Sequence, residues 1–263
     1  MLIIAERINA TRRPIAEALK ARDAARIRRE ARRQAEAGAD FIDLNAGADP
    51  AREAEDLLWT IEQVRQVTDL PLCLDSSNPE VLRAGLEALG EQQVMLNSVT
   101  GEAEKLAAVL PLAAQARARL VALTMDESGL PQTADQRLRV AEKIIEAATR
   151  QGVPVENLYV DPCIQPLSTS PEQAREALEA VRRIMDGFEG IHTTCGLSNI
   201  SFGLPGRALV NRTYLACLIM AGLDSAILDP LAEGLMETVR AAEALAGRDE
   251  FCMNYIQFMR SRT

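Results

Sequence analysis

With 263 residues, 48% of them apolar but only 3% aromatic, and a net charge of −9, the chain has the size of one (β/α)8 barrel and the material for an aliphatic core. No basic patch interleaved with aromatics points to nucleic acid, no apolar run reaches membrane-spanning length, and an acid as early as Glu6 argues against a secretion signal. The five cysteines (Cys73, Cys163, Cys195, Cys217 and Cys252) form no C-x-x-C pair, so reduced thiols in a cytoplasmic protein are expected, with no metal site.

In chain order, short apolar runs alternate with amphipathic stretches. Strands are predicted over 2–8, 41–46, 71–76, 93–98, 119–125, 158–164, 191–198 and 225–229. Several are continuous apolar runs, the pattern of a parallel sheet covered on both faces. Helices are predicted over 27–37, 51–67, from Asn78-Pro79 onward, and over 102–116, 134–150, 171–185, 208–221 and 231–246, with a closing helix over 251–259. Between 51 and 67, Leu57, Leu58, Ile61, Val64 and Val67 share one helical face. Asn78 and Pro79 suit the N-cap and first turn, and Gly38, Gly152, Gly187, Gly222 and Gly247 stand where helices should stop. Eight strand–helix alternations predict a single-domain (β/α)8 barrel over 1–263. An open doubly wound sheet would place a Gly-rich turn after the first strand, and none follows 2–8.

Each strand ends in polar residues: Glu6 to Asn9, Asp43 to Asn45, Asp75 to Asn78, Asn97-Ser98, Thr124 to Asp126, Asp161, Ser198-Asn199 and Asp229. In a barrel these ends form one rim, where active sites lie. Asp75 and Asp161 stand beside apolar core and need a partner, and a ligand rich in N–H donors supplies one. Asp229 and Asn78, each before a proline, read as helix caps. Asp126 and Glu127 open a solvated loop, while Asp43 and Asn45 suit either a pocket or a brace of the barrel mouth.

The lysines, Lys20, Lys105 and Lys143, all fall in helices, which disfavours a Schiff-base mechanism. His192 is the sole histidine and begins a strand, away from the rim, so a His-ligated metal or a Ser–His–Asp triad is not expected. What remains, Asp, Asn, Ser and some Arg, suits a neutral, hydrogen-bond-rich heterocycle such as a pterin, with Arg207 available for a carboxylate.

The segments Glu6–Asn9 (ERIN), 43–47 (DLNAG), 73–78 (CLDSSN), 96–98 (LNS), 123–125 (LTM), 159–162 (YVDP), 196–201 (GLSNIS) and 211–216 (NRTYLA) occur in this order over the whole chain. In these the sequence resembles the methyltetrahydrofolate:corrinoid/iron–sulfur protein methyltransferases and the folate module of cobalamin-dependent methionine synthase. The resemblance implies a homodimeric barrel with a polar pterin cup at its C-terminal face. It implies that Asp75, Asn97 and Asp161 hydrogen-bond the pterin, that Gly196 and Ser198 line the cup, that Arg207 helps to hold the folate, and that Asn199 reaches N5. Glu6, Asn9, Asp43, Asn45 and Met125 are candidate rim residues.

The implied reaction moves the N5-methyl group of methyltetrahydrofolate to the cobalt of a cobalamin. N5 must gain positive character as the bond breaks, and Asn199 is placed to donate to it, with Asp75 ordering a water network. No D-x-H-x-x-G corrinoid motif is present, so a separate corrinoid protein must dock transiently over the mouth. Three other readings stand beside this one. The same chemistry can run toward methyltetrahydrofolate in an O-demethylase system. A dihydropteroate synthase would need a late-strand Lys and an S-x-R near the last strand, and neither is present. A folate-binding protein without catalysis sits poorly with the presence of Asn199, Asp75 and Asp161.

Overall fold

The computed structural model describes residues 1–261. Eight parallel strands lie in the order β7-β6-β5-β4-β3-β2-β1-β8. They are β1 (Leu2–Asn9), β2 (Phe41–Asn45), β3 (Leu72–Asp75), β4 (Val94–Thr100), β5 (Arg119–Leu123), β6 (Leu158–Asp161), β7 (His192–Thr193) and β8 (Ser225–Leu228). Around them run α1 (Arg13–Ala21), α2 (Ala24–Glu36), α3 (Glu53–Arg65), α4 (Pro79–Leu89), α5 (Ala103–Ala116), α6 (Ala134–Arg150), α7 (Gln173–Gly187), α8 (Arg207–Met220), α9 (Leu235–Leu245) and α10 (Met253–Arg260). This is the predicted (β/α)8 barrel, closed everywhere by ladders except between β7 and β8. There the Ile227 N–H donates to the Cys195 carbonyl at 2.9 Å, the Ser225 hydroxyl donates to the Thr193 carbonyl at 2.8 Å, and Gly196 makes one isolated bridge to Ile227.

Aliphatic side chains fill the inside and the strand–helix interface. Ile4, Phe41, Cys73, Met95, Val121 and Tyr159 form the barrel's inner cluster. Leu44, Leu57, Leu74, Leu82 and Leu96 belong to the layer beneath the helices. Close approach is made possible at Gly85 of α4, where a Cβ would stand 2.6 Å from Leu74 Cδ1.

Several elements differ from the sequence reading: the helix predicted over 231–246 begins at Leu235 and the strand predicted over 119–125 ends at Leu123. Helix α1 was not foreseen, because Ile15, Ala18 and Leu19 make a short buried stripe within an Arg- and Lys-rich stretch; Pro14 opens it and Asp23 caps the α2 that follows. The strand predicted to run to 164 ends at Asp161, since Pro162 offers no N–H to a ladder. The strand predicted over 191–198 is only His192–Thr193; a 3-10 turn, Leu197–Ser201, takes its end.

His192 is structural: its Nδ1 meets Asp224 Oδ2 at 2.5 Å and its ring stacks on Tyr159 with centroids 4.8 Å apart. The apolar stretch 214–223, considered as an interface, is largely consumed within the chain. Tyr214, Leu215, Leu218, Ile219 and Leu223 are buried, and only Met220 among its large apolar side chains is mostly exposed. Among the described residues, no helix is long and apolar enough to cross a membrane.

Candidate functional site

The C-terminal ends of the strands surround a cavity of about 760 Å³, within the range of small-molecule sites. Its floor and walls are Asp43 from β2, Asp75 from β3, Asn97 and Ser98 from β4, Leu123 from β5 and Asp161 from β6. The 3-10 turn after β7 contributes Gly196, Ser198 and Asn199, and β1 contributes Glu6 and Asn9.

Each acceptor is held by the local fold. Asp75 Oδ2 accepts from Asn45 Nδ2 at 3.1 Å, and Asp43 Oδ1 accepts from Asn97 Nδ2 at 3.4 Å. Asp161 is gripped by two backbone donors: the Cys163 N–H to Oδ1 at 2.7 Å and the Gly196 N–H to Oδ2 at 3.3 Å. Loss of the ladder past Thr193 allows the chain to turn here, so that Ser198 and Asn199 face the cavity. Arg207, at the start of α8, ties that turn down through Nη2 to the Ser198 carbonyl at 2.7 Å and Nε to the Ser201 hydroxyl at 3.0 Å. The Asn199 Nδ2 lies close over Gly196, where a Cβ would come to 3.0 Å of it.

Burial gives this acid cluster unusual protonation. Asp161 is pushed up to about 6 by desolvation, against the pull of the Cys163 and Gly196 amides and the charge of Arg137. Asp75 is raised to about 6, again chiefly by burial, which its bond from Asn45 opposes and the charge of Glu53 reinforces. Asp43, 1% exposed, lies well above the usual aspartate value because it is buried beside Asp75. Glu6 rises to about 7 through burial and the nearby charge of Asp229, countered by Arg12, Ser198 and Arg207. Carboxyl groups so placed accept N–H donors strongly, because a bound donor restores what desolvation removed. They also stand ready to take or give a proton near neutrality.

Of the rim candidates, Glu6, Asn9 and Asp43 line the cavity. Asn45 stands behind the wall as the brace of Asp75. Met125 lies off the wall, where Leu123 takes the facing position; its carbonyl instead accepts from the Gly101 N–H at 2.8 Å. Arg12, Asn211 and Asp229 also line the cavity and were not proposed from the sequence. Asp229 does cap the following turn, accepting from the Leu231 N–H at 3.0 Å, but its other oxygen takes Arg7 Nη1 at 2.7 Å with Arg12 Nη1 at 3.7 Å. An Asp-Pro cap signal hides such a second use. Arg12, in an Arg-Arg pair, reads as surface charge. The Asn211 position was within a recognised segment, and only the inward turn of α8 reveals it.

Three comparisons bear on this cup. The family described as "Pterin binding enzyme" matches residues 5–229. Over 262 residues the chain is 36% identical to the methylcorrinoid:tetrahydrofolate methyltransferase of Eubacterium limosum, covering 99% of this chain and 96% of that protein. It is 34% identical over 240 residues to the methionine synthase of Mycobacterium tuberculosis, covering 86% of this chain but only 20% of that longer protein. Among solved structures, a dihydropteroate synthase of Xanthomonas albilineans superposes with a TM-score of 0.73 at 21% identity, over 93% of this chain and 92% of that one; at that identity it speaks for the fold alone. Because the family match runs from within β1 to just past β8, it takes in the whole barrel and the cup at its mouth: the chain belongs to the pterin-binding enzyme family and groups by sequence with a corrinoid–tetrahydrofolate methyltransferase.

Proposed function

We propose that the protein transfers a methyl group between the cobalt of a corrinoid carried by a separate protein and N5 of a reduced folate bound in the cup. The observation that carries this reading is the convergence of Asp75, Asn97 and Asp161 on one cavity with the Asn199 carboxamide at its edge. The direction follows the relative matched along nearly its whole length, whose name gives methylcorrinoid as donor and tetrahydrofolate as acceptor. A cytoplasmic homodimer is the setting we assign to it.

In this reading the pterin's 2-amino and N3–H groups donate to Asp75, Asn97 and Asp161, which orients N5 toward the mouth. The N5 lone pair attacks the methyl carbon while the carbon–cobalt bond breaks, and both electrons of that bond remain on cobalt. N5 then gives up its proton. In the reverse direction the same proton must return before N5 can leave. Asn199 hydrogen-bonds N5 in the transition state, where charge there changes most, so its contribution falls on rate rather than on binding. A carboxamide cannot itself ionise, and the proton passes through water ordered by the raised carboxyls of Asp75 and Glu6. Gly196 and Ser198 give the ring room and a hydroxyl, and Arg207 keeps the Asn199 turn in place while its remaining face meets the folate.

The deciding assay mixes protein, tetrahydrofolate and methylcobalamin anaerobically and follows the cobalamin spectrum, with the reverse reaction from methyltetrahydrofolate and cob(I)alamin run alongside. Conversion in either direction that depends on Asn199 supports the proposal. Tight folate binding with no transfer, even to a cognate corrinoid protein, would mark a binder without catalysis. Gly196→Ala supplies a second check. Its methyl group crowds Asn199 Nδ2 without straining the backbone, since Gly196 sits at φ −74°. A displacement of that kind is expected to lower kcat about tenfold, and the same methyl group, taking room from the ring, should also weaken folate binding.

A further inference from the structure

Arg137 belongs to none of the segments above and does not line the cavity, yet its side chain is wholly buried. It projects from α6 under the bend that follows β6. Nε donates to the Pro162 carbonyl at 2.6 Å, and Nη2 donates to Gln173 Oε1 at 2.8 Å and more weakly to the Cys163 carbonyl at 3.5 Å. Nη1 has no acceptor, and among the described residues no carboxylate pairs directly with this guanidinium. A buried cation without a direct counter-ion is costly to keep, so its placement calls for a compensating interaction.

That interaction runs through one peptide group. The carbonyl of Pro162 and the N–H of Cys163 belong to the same amide. Arg137 holds the oxygen end at 2.6 Å, and the nitrogen end donates to Asp161 Oδ1 at 2.7 Å. A guanidinium on the carbonyl polarises the amide and strengthens its N–H as a donor. To point that N–H back at Asp161 the chain bends with Cys163 in the left-handed region, φ 52°, which few non-glycine residues occupy. The bend turns the Pro162 and Cys163 carbonyls away from the cup, and Arg137 collects both.

We propose that Arg137 is a positioning residue for the cup, acting through the Pro162–Cys163 peptide to fix the Asp161 carboxyl and to favour its ionised form. The inference rests on the reading of Asp161 as a pterin acceptor for its consequence, but not for its geometry. The ionisable groups around the pair are Cys163 on the bend, Cys195 after β7, Glu176 on α7 and Tyr214 on α8. None is a second cation, so Arg137 is the positive charge that faces Asp161.

The test is the carboxyl titration of Asp161 in the ligand-free protein, followed by carbon-13 NMR and assigned with Asp161→Asn. In Arg137→Met the midpoint is expected to move up by about one pH unit, a tenfold change in the protonation equilibrium. Arg137→Lys should move it less, in the same direction, because an ammonium keeps the charge but cannot span Pro162 and Gln173. An unchanged Asp161 titration in either folded variant overturns the proposal and leaves Arg137 a structural staple; should the Met variant not fold, the Lys variant decides. Tetrahydrofolate binding, measured beside it, separates the two claims. A wild-type protein that binds no folate sinks the functional reading while the titration still judges Arg137. With binding present, Arg137→Met should weaken it about twofold near pH 7 and about tenfold near pH 5, and recover above pH 8, where Asp161 ionises regardless.

Discussion

Asn199→Ala is expected to lower kcat for methyl transfer by about 10²–10³-fold, the loss found when one preorganised hydrogen-bonding group at a developing charge is removed, here the carboxamide oxygen accepting from the N–H of N5 as it becomes positive. Folate affinity should change by much less. The carboxamide sits at the open edge of the cavity, whereas the ring-binding acceptors lie deeper on β3, β4 and β6. Single-turnover rates together with an equilibrium folate titration separate the two effects. A variant that turns over normally would remove Asn199 from the mechanism. One that loses folate affinity in proportion to rate would make it a binding residue. The 3-10 turn also gives a structural control. Arg207 holds the turn through the Ser198 carbonyl and Ser201 hydroxyl, neither of which the alanine touches, so the backbone should stay in place.

Asp75→Asn should do two opposite things. Folding raises the Asp75 pKa from 3.8 to about 6, so between those values the native state holds a proton that the unfolded chain has released. The stability contributed by that proton is complete below about pH 4 and is lost as pH rises through 6. At pH 8 the wild type therefore folds with a buried carboxylate beside Asp43. An asparagine keeps one acceptor for Asn45 and can turn its amide toward Asp43. The ligand-free variant is expected to be more stable than wild type by about 3 kcal/mol at pH 8, with the gain vanishing toward pH 4. Folate affinity should fall, by about 1–3 kcal/mol, for want of one acceptor to a pterin N–H. Urea unfolding at the two pH values and a folate titration check both parts. Equal stability at pH 8 would mean that the carboxylate is better compensated in the free cup than its burial implies.

The barrel was legible because its strands are short apolar runs ending in acids and amides, a pattern that few folds besides a closed parallel barrel produce. The residues that line the cup and were missed share a different trait. Asp229 and Arg12 each carry a local signature, a cap before proline and a basic pair, that accounts for them without any ligand. Arg137 gave no signal at all: one arginine among several on α6 reads as surface charge until the bend after β6 closes over it. Likewise the end of β6 was readable from Pro162, but the shortness of β7 was not. Cys195 and Leu197 are apolar and buried whether or not they join a ladder, so apolarity cannot mark where the strand stops.

That short seventh strand sets where the barrel can breathe. Between β7 and β8 the backbone pairing is one isolated bridge, helped by the Ser225 hydroxyl and by the Asp224 side chain that takes the Thr193 N–H and meets His192, so its backbone ladder is thinner than that between any other neighbours. The amides of Cys195 to Ile200 should exchange with solvent ahead of those in β2 to β5. A ligand that touches Asp161 on one side of this line and Glu6 on the other would act as a clasp, closing across open space a wall that the backbone leaves loosely stitched.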